Sequence, residues 1–198
     1  MSRDDKKRLI MRAVEKLFTS RRLHEITVDD VARDAKVAKG TIYLYFKDKD
    51  DLFLQTALCA FDDLREALEQ AVPADAPFDD QLAAACREIT AFFERRRQAY
   101  RMIQPEDART LWRKGNVRKA WKAKRRELVG AVAAILRRGI DEGMLREDLP
   151  APMLAHVLLG LLRLRSWYLA EHPEAEKHGG LLLDLFLRGA RRADAAGS

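Results

Sequence analysis

The chain has 198 residues with 37 Lys and Arg against 31 Asp and Glu, a net charge of +6. A hydrophobic content of 47% excludes global disorder, and a chain of this length buries roughly 70% of its unfolded surface without staples. The 27 Leu and 29 Ala outnumber 9 Val, 7 Ile and 6 Thr, which favours an all-α chain over a sheet protein. Cys59 and Cys86 are too few for a disulfide framework and fit a reducing, cytoplasmic compartment. Residues 1–20 hold no apolar core, so no signal peptide is expected. Met153 to Ala170 is the most apolar stretch. It is cut by His156, Arg163 and Arg165, and so reads as a buried helix rather than a membrane span.

Leu9, Ile10, Ala13, Val14, Leu17 and Phe18 follow helical spacing and predict an amphipathic helix from about Arg3 to Thr19. A polar break, Arg21 to Ile26, comes next. Thr27-Val28-Asp29-Asp30 then reads as a capping-box variant, with the Thr27 hydroxyl on the Asp30 N–H and the Asp30 carboxylate reaching back. The helix it opens runs from about Val28 to Asp34. After a short turn, Gly40 to Phe46 forms a third short helix with Ile42 and Phe46 on one face and Tyr43 off it. A short helix, turn and second short helix behind a packing helix make a helix-turn-helix, whose second helix enters the DNA major groove. Lys36, Lys39, Lys47 and Lys49 suit phosphates, and Gly40 removes a side chain where backbone would approach DNA.

The run Thr27-Val-Asp-Asp-Val-Ala-Arg-Asp-Ala-Lys-Val-Ala-Lys-Gly-Thr-Ile-Tyr-Leu-Tyr-Phe-Lys-Asp-Lys-Asp-Asp-Leu52 closely resembles the DNA-binding signature of the TetR (tetracycline repressor) family. The resemblance is specific over about residues 8–54 and rests on helix layout elsewhere. It implies DNA contacts at Thr27, Lys39, Thr41, Tyr43, Tyr45 and Lys49, to which the close backbone approach adds Gly40. Thr27 and Lys49 would hold phosphates, while Lys39, Thr41 and Tyr43 would reach base edges. Two positions depart from the family pattern. Ala38 stands where Ser or Thr often caps the recognition helix, and Asp48 where Ser is common before the fourth helix, a good cap but an acid near phosphate; neither is counted as a DNA contact.

Leu52 to Val72 is expected as one long helix, ended by Pro73 and Pro77. Phe78 to about Tyr100 is the fifth helix, followed by a short one near Glu106–Lys114 and a long one near Val117–Glu142. Gly143 reads as a C-cap, and an Asp and Pro start signal leads to a helix over Pro152–Ala170. A last helix spans about Gly180–Arg191. These last two helices are apolar on more than one face, so each needs a partner beyond its own core. The family layout places such helices in a two-fold dimer, which would also match a pseudo-palindromic operator.

From Arg95 to Arg126 stand thirteen basic residues against Glu106 and Asp107, a local charge of +11 that leaves −5 for the rest. A solvated face, an auxiliary DNA contact and an anionic effector site all fit that asymmetry. By resemblance, a small-molecule pocket is expected in the second domain. Its candidates are Phe61, Leu64, Cys86, Thr90, Phe93, Met102, Trp112, Trp121, Leu128, Leu159, Arg163 and Trp167. His24, His156, His172 and His178 show no metal spacing, no cofactor motif is present, and neither a metal nor a cofactor is expected.

The expected architecture is therefore all-α, with about nine helices. A helix-turn-helix DNA-binding domain would span residues 1–50, and a helical effector-binding and dimerisation domain residues 51–198. The expected function is that of a ligand-responsive regulator rather than an enzyme: a homodimeric repressor released from double-stranded operator DNA by a small molecule. A DNA-bound adaptor that recruits a protein partner without an effector is the alternative.

Overall fold

The computed structural model describes residues 2–21, 23–72, 75–95, 115–172 and 180–192. Among these residues are eight α-helices and no strand: α1 (Arg3–Leu17), α2 (Val28–Asp34), α3 (Lys39–Tyr43), α4 (Lys49–Ala71), α5 (Phe78–Arg95), α6 (Gly115–Asp141), α7 (Ala151–Glu171) and α8 (Leu181–Ala190). The chain divides into two compact units, residues 1–62 with 96–124 and residues 63–95 with 125–198. The short helix expected near Glu106–Lys114 lies outside the described residues, as does the end of the fifth helix beyond Arg95.

In the first unit, α1 opens with a capping box in which Ser2 and Asp5 exchange hydrogen bonds of 2.8 and 3.0 Å. Its apolar stripe, Ile10, Ala13, Val14 and Phe18, joins Ile26, Val31, Ile42, Phe46, Leu52 and Phe53 in one buried cluster. The Phe18 and Phe53 rings meet at 5.4 Å, fixing α1 against the start of α4. The polar break contains a 3-10 turn at Leu23–Glu25. The turn after α2 needs a left-handed residue, and Lys36 takes it at φ 53° while Val37 N–H bonds back to the Ala32 carbonyl at 3.0 Å.

Two helix boundaries differ from the periodicity. Helix α3 stops at Tyr43, because the next bonds shorten to Leu44 N–H on Thr41 and Tyr45 N–H on Ile42. Helix α4 starts at Lys49, three residues before its apolar stripe. Asp48 caps it by accepting the Asp51 N–H at 2.8 Å, and Asp51 accepts the Lys47 N–H at 2.8 Å.

In the second unit, α5 and α8 each pack on α7. Phe78, Leu82, Ala85, Ile89, Phe92, Leu136, Leu154, Leu158, Leu162 and Phe186 are buried. Helix α6 ends at Asp141 and is closed by Gly143, φ 74°, with Met144 N–H bonded to the Gly139 carbonyl at 2.9 Å, as a left-handed C-terminal cap requires. The expected Asp start signal for α7 is not used. Asp148 pairs with Arg146 at 2.6 Å, and Pro150 stands at the N-cap with no side-chain bond. Arg146 N–H also reaches the Ala190 carbonyl at 2.9 Å, tying the end of α8 to this turn.

Helices α7 and α8 keep large apolar side chains in solvent. Met153, Val157, Leu164, Trp167 and Tyr168 on α7 and Leu181 and Leu185 on α8 are exposed. Among the described residues no helix is long and apolar enough to cross a membrane.

Candidate nucleic-acid interface

Two short-range devices, a cap and a turn, build the interface. Thr27 accepts the Asp30 N–H at 3.2 Å and donates its hydroxyl to Asp30 Oδ2 at 2.7 Å, while Asp30 accepts the Thr27 N–H at 3.0 Å. These bonds from the Thr27 hydroxyl and backbone, with the nearby Arg21 charge, hold the Asp30 carboxyl down at about 2. The cap sets the start of α2, and the Lys36 turn sets the start of α3. Ile42 and Phe46 are then driven inward, and the opposite side of α3 is left to solvent.

On that side Tyr43 is 49% exposed and Leu44 72% exposed. Lys39 is exposed at the first position of α3, with its ammonium 2.8 Å from Asp29 Oδ2. That bond and the Asp29 charge push the Lys39 pKa up, so it stays cationic. A Cβ at Gly40 would meet nothing within 4 Å, so no neighbour within the protein demands glycine there. Thr41 is half-buried. Tyr45 is also half-buried, packs on the core cluster and lies 5.9 Å from the Arg3 guanidinium, so it serves the fold as well. Lys49 sits at the first turn of α4 with its ammonium 5.4 Å from the Phe53 ring. Ala38 caps α3 with no side-chain bond.

Sequence reasoning passed over Leu44 and Asp29. Leu44 is an apolar side chain off the Ile42/Phe46 face, which was its available signal. Asp29 meets Lys39 ten residues away in the chain, and no local pattern announces that.

The residues expected to line a ligand pocket are dispersed. Phe61 and Trp121 belong to the first unit and meet edge to face at 4.5 Å. Leu64, Cys86, Phe93 and Leu128 are buried in the second unit, with Thr90 and Leu159 half-buried. Arg163 and Trp167 are both exposed on α7, where the Leu158/Leu162/Ser166 side takes the buried position. Met102 and Trp112 lie outside the described residues. A cleft of about 440 Å³ in the first unit is lined by none of these twelve. Its walls include Lys7, Arg8, Met11, Cys59 and Lys124. Cys59 is half-buried there, whereas burial pushes the Cys86 thiol up to about 12.

Of the basic stretch, Lys119, Lys122, Arg125 and Arg126 are exposed and Lys124 bonds Asp62 at 2.6 Å; the side chains from Arg95 to Arg118 lie outside the described ones. Among the described residues no three His, Cys, Asp or Glu come together as metal ligands.

Residues 10–56 match the family described as bacterial regulatory proteins, tetR family. Residues 75–189, more than half of the chain, match the tetracyclin repressor-like C-terminal domain. The chain belongs to the TetR family. It is therefore a helix-turn-helix transcriptional regulator that binds DNA, and not an enzyme. The HTH-type transcriptional regulator YhgD of Bacillus subtilis is 28% identical over 182 residues, covering 90% of this chain and 93% of that protein. The transcriptional repressor BepR of Brucella suis is 26% identical over 188 residues, covering 92% and 85%. FadR of Bacillus subtilis, solved in complex with stearoyl-CoA, shares the fold at a TM-score of 0.74 with 20% identity, covering 91% of this chain and 97% of FadR.

Proposed function

We propose that this TetR-family protein is a homodimeric repressor that a small-molecule effector releases from a pseudo-palindromic operator. The observation that carries the DNA half is the outward face of α3, where Lys39, Gly40, Thr41 and Tyr43 turn away from the buried Ile42 and Phe46. Lys39, Thr41 and Tyr43 would read base edges from the major groove, with Thr27 and Lys49 on phosphates and Tyr45 at the margin.

The dimer is supported by the apolar side chains exposed on α7 and α8, since two-fold symmetry turns one such face into a matched pair. Two recognition helices about 34–36 Å apart would then enter successive major grooves. Release by a ligand is supported by the relatives: BepR is a repressor, and FadR was solved with an acyl-CoA. In this chain Leu64, Cys86, Thr90, Phe93, Leu128 and Leu159 would supply an apolar lining in the effector and dimerisation part. Helix α4 has residues in both units and is the element through which occupancy would reach α3. DNA and effector would each weaken the other by one coupling free energy, typically about 1–3 kcal/mol.

Lys39→Ala and Tyr43→Ala should each weaken operator binding by about 5-fold or more in fluorescence anisotropy while leaving the helical circular dichroism unchanged. Wild-type affinity in both variants would remove the assignment of this face. Acyl-CoAs titrated against the protein–DNA complex should lower the anisotropy if the effector belongs to that class.

A further inference from the structure

Asp29 is the second residue of α2 and Lys39 the first of α3, and their side chains meet across the turn with Nζ 2.8 Å from Oδ2. Both side chains are more than half exposed, at 58% and 51%. An ion pair this exposed adds little to stability. The other acids of α2 have structural partners. Asp30 closes the cap and receives Arg21 and Arg33, each at 3.3 Å, and Asp34 receives Lys16 at 2.5 Å. Asp29 neither caps the helix nor ties it to α1, yet it places a negative charge beside a surface that must approach phosphates. Lys39 also lies one helical turn from Tyr43, on the outward side of α3.

We propose that Asp29 and Lys39 work together as an acceptor–donor pair that reads the orientation of one base pair in the major groove. The inference rests on α3 being the helix that enters that groove. In a guanine–cytosine pair, guanine O6 accepts an N–H from cytosine N4, so an acceptor and a donor stand about 2.9 Å apart at the groove edge. The Nζ and Oδ2 atoms repeat that spacing with the opposite polarity. The ammonium has three donors, so it keeps Asp29 while reaching O6 and the adjacent N7. The carboxylate accepts the second N4–H of cytosine. A thymine–adenine pair in the same sense offers O4 and N6 with matching polarity but no acceptor corresponding to N7 beside O4, so guanine is preferred. Reversing either pair sets amino group against ammonium and carbonyl against carboxylate. The acid thus supplies rejection, which a lysine alone does not.

The test uses the full chain and a duplex enriched by the wild-type protein from a randomised library. Each single-base-pair variant of that duplex and one unrelated duplex are titrated by anisotropy over a salt series. The wild type should prefer guanine at one base pair, with its symmetry mate, by about 5- to 150-fold, the usual cost of one wrong pair. Asp29→Ala should reduce that preference to a few-fold at most and leave the other positions unchanged. It should also bind the unrelated duplex more tightly, with a salt slope steeper by up to about 0.9, because Lys39 becomes available to a phosphate. Asp29→Asn keeps the shape and should lose the preference too, since an amide offers both donor and acceptor. Lys39→Ala should lose the same preference, and the double variant should add no further loss. An Asp29→Ala protein that gains affinity equally for every duplex, or that keeps every preference, overturns the pair while leaving the interface standing. Lys39→Ala and Tyr43→Ala proteins that still bind normally overturn the interface and the pair together.

Discussion

Around α3 Ile42 and Phe46 turn inward, and what remains outside is mainly Lys39, Gly40 and Tyr43, with Leu44 exposed beside them and Thr41 half-buried. Along α7 and α8 the apolar side chains themselves point outward, from Met153 and Val157 to Leu181 and Leu185. The first surface belongs to helices whose one apolar stripe is already satisfied by the Ile10/Val31/Phe46 cluster. Its free side is open to selection for charge and hydrogen bonding, which suits a hydrated polyanion. The second belongs to a helix that is apolar on two sides, with Leu154, Leu158 and Leu162 buried and Leu164, Trp167 and Tyr168 exposed. A soluble chain rarely leaves so many large apolar groups in water without a partner for them. Exposure alone therefore does not define an interface; the chemistry left exposed says what kind of partner is missing.

Breaking the first surface from beneath should have the largest effect. Phe46 is 1% exposed at the centre of the helix-turn-helix core, and Phe46→Ala should lower the unfolding free energy by about 3–5 kcal/mol in chemical denaturation. Leu185, by contrast, is 61% exposed, so Leu185→Glu should leave the fold and its circular dichroism intact. The same change should convert a sedimenting dimer to monomer, because an interface core is depleted of charge and its anchors are worth about 2 kcal/mol or more. A wild-type protein that sediments as a monomer at micromolar concentration would assign that face to some other occupant.

A smaller effect sharpens the contrast from the polar side. The Asp30 carboxyl sits at about 2 in the fold against an ordinary value of 3.8, chiefly through the Thr27 hydroxyl. Because the folded value is the lower one, this stabilisation is complete above pH 4 and is lost as pH falls from about 4 to 2. Thr27→Ala should cost about 0.5–2 kcal/mol at neutral pH as a lost cap. Thermal melts between pH 5 and 2 should show a shallower acid dependence in that variant than in the wild type. Parallel curves would mean that the cap does not govern the acid response.

What was legible in the sequence was local. The Thr27/Asp30 box spans three residues, so it could be read from the chain and was found with both of its bonds. The packed side of α3 followed from Ile42 and Phe46 being one turn apart, and the apolar surplus of the last helices followed from simple periodicity. Asp48 is legible as a cap before the fourth helix, but the Lys-Asp run behind it has no apolar rhythm, so α4 starts at Lys49 rather than at the apolar Leu52. Asp148 was given a cap that it does not make, because an arginine two residues away offers it a charged partner. For α7, spacing left the inward side open, and Arg163 and Trp167, pocket candidates by resemblance, lie on its exposed side. A helix apolar all round does not reveal which side its neighbours will take. The Asp29–Lys39 pair has no such signal: the turn between its helices is legible, but periodicity does not say which side chains meet across it ten residues apart.

Gly40 has open space where a methyl group would go, and its backbone is ordinary helix. Alanine there should stabilise the folded protein by about 0.4–1 kcal/mol, because the unfolded chain would lose freedom and nothing would clash. The same methyl would stand where backbone is expected to close on the sugar and phosphates of the operator. A screen that ranks variants by melting temperature would therefore promote Gly40→Ala, while a screen for promoter occupancy would discard it. At this position sturdiness and DNA binding would then pull in opposite directions.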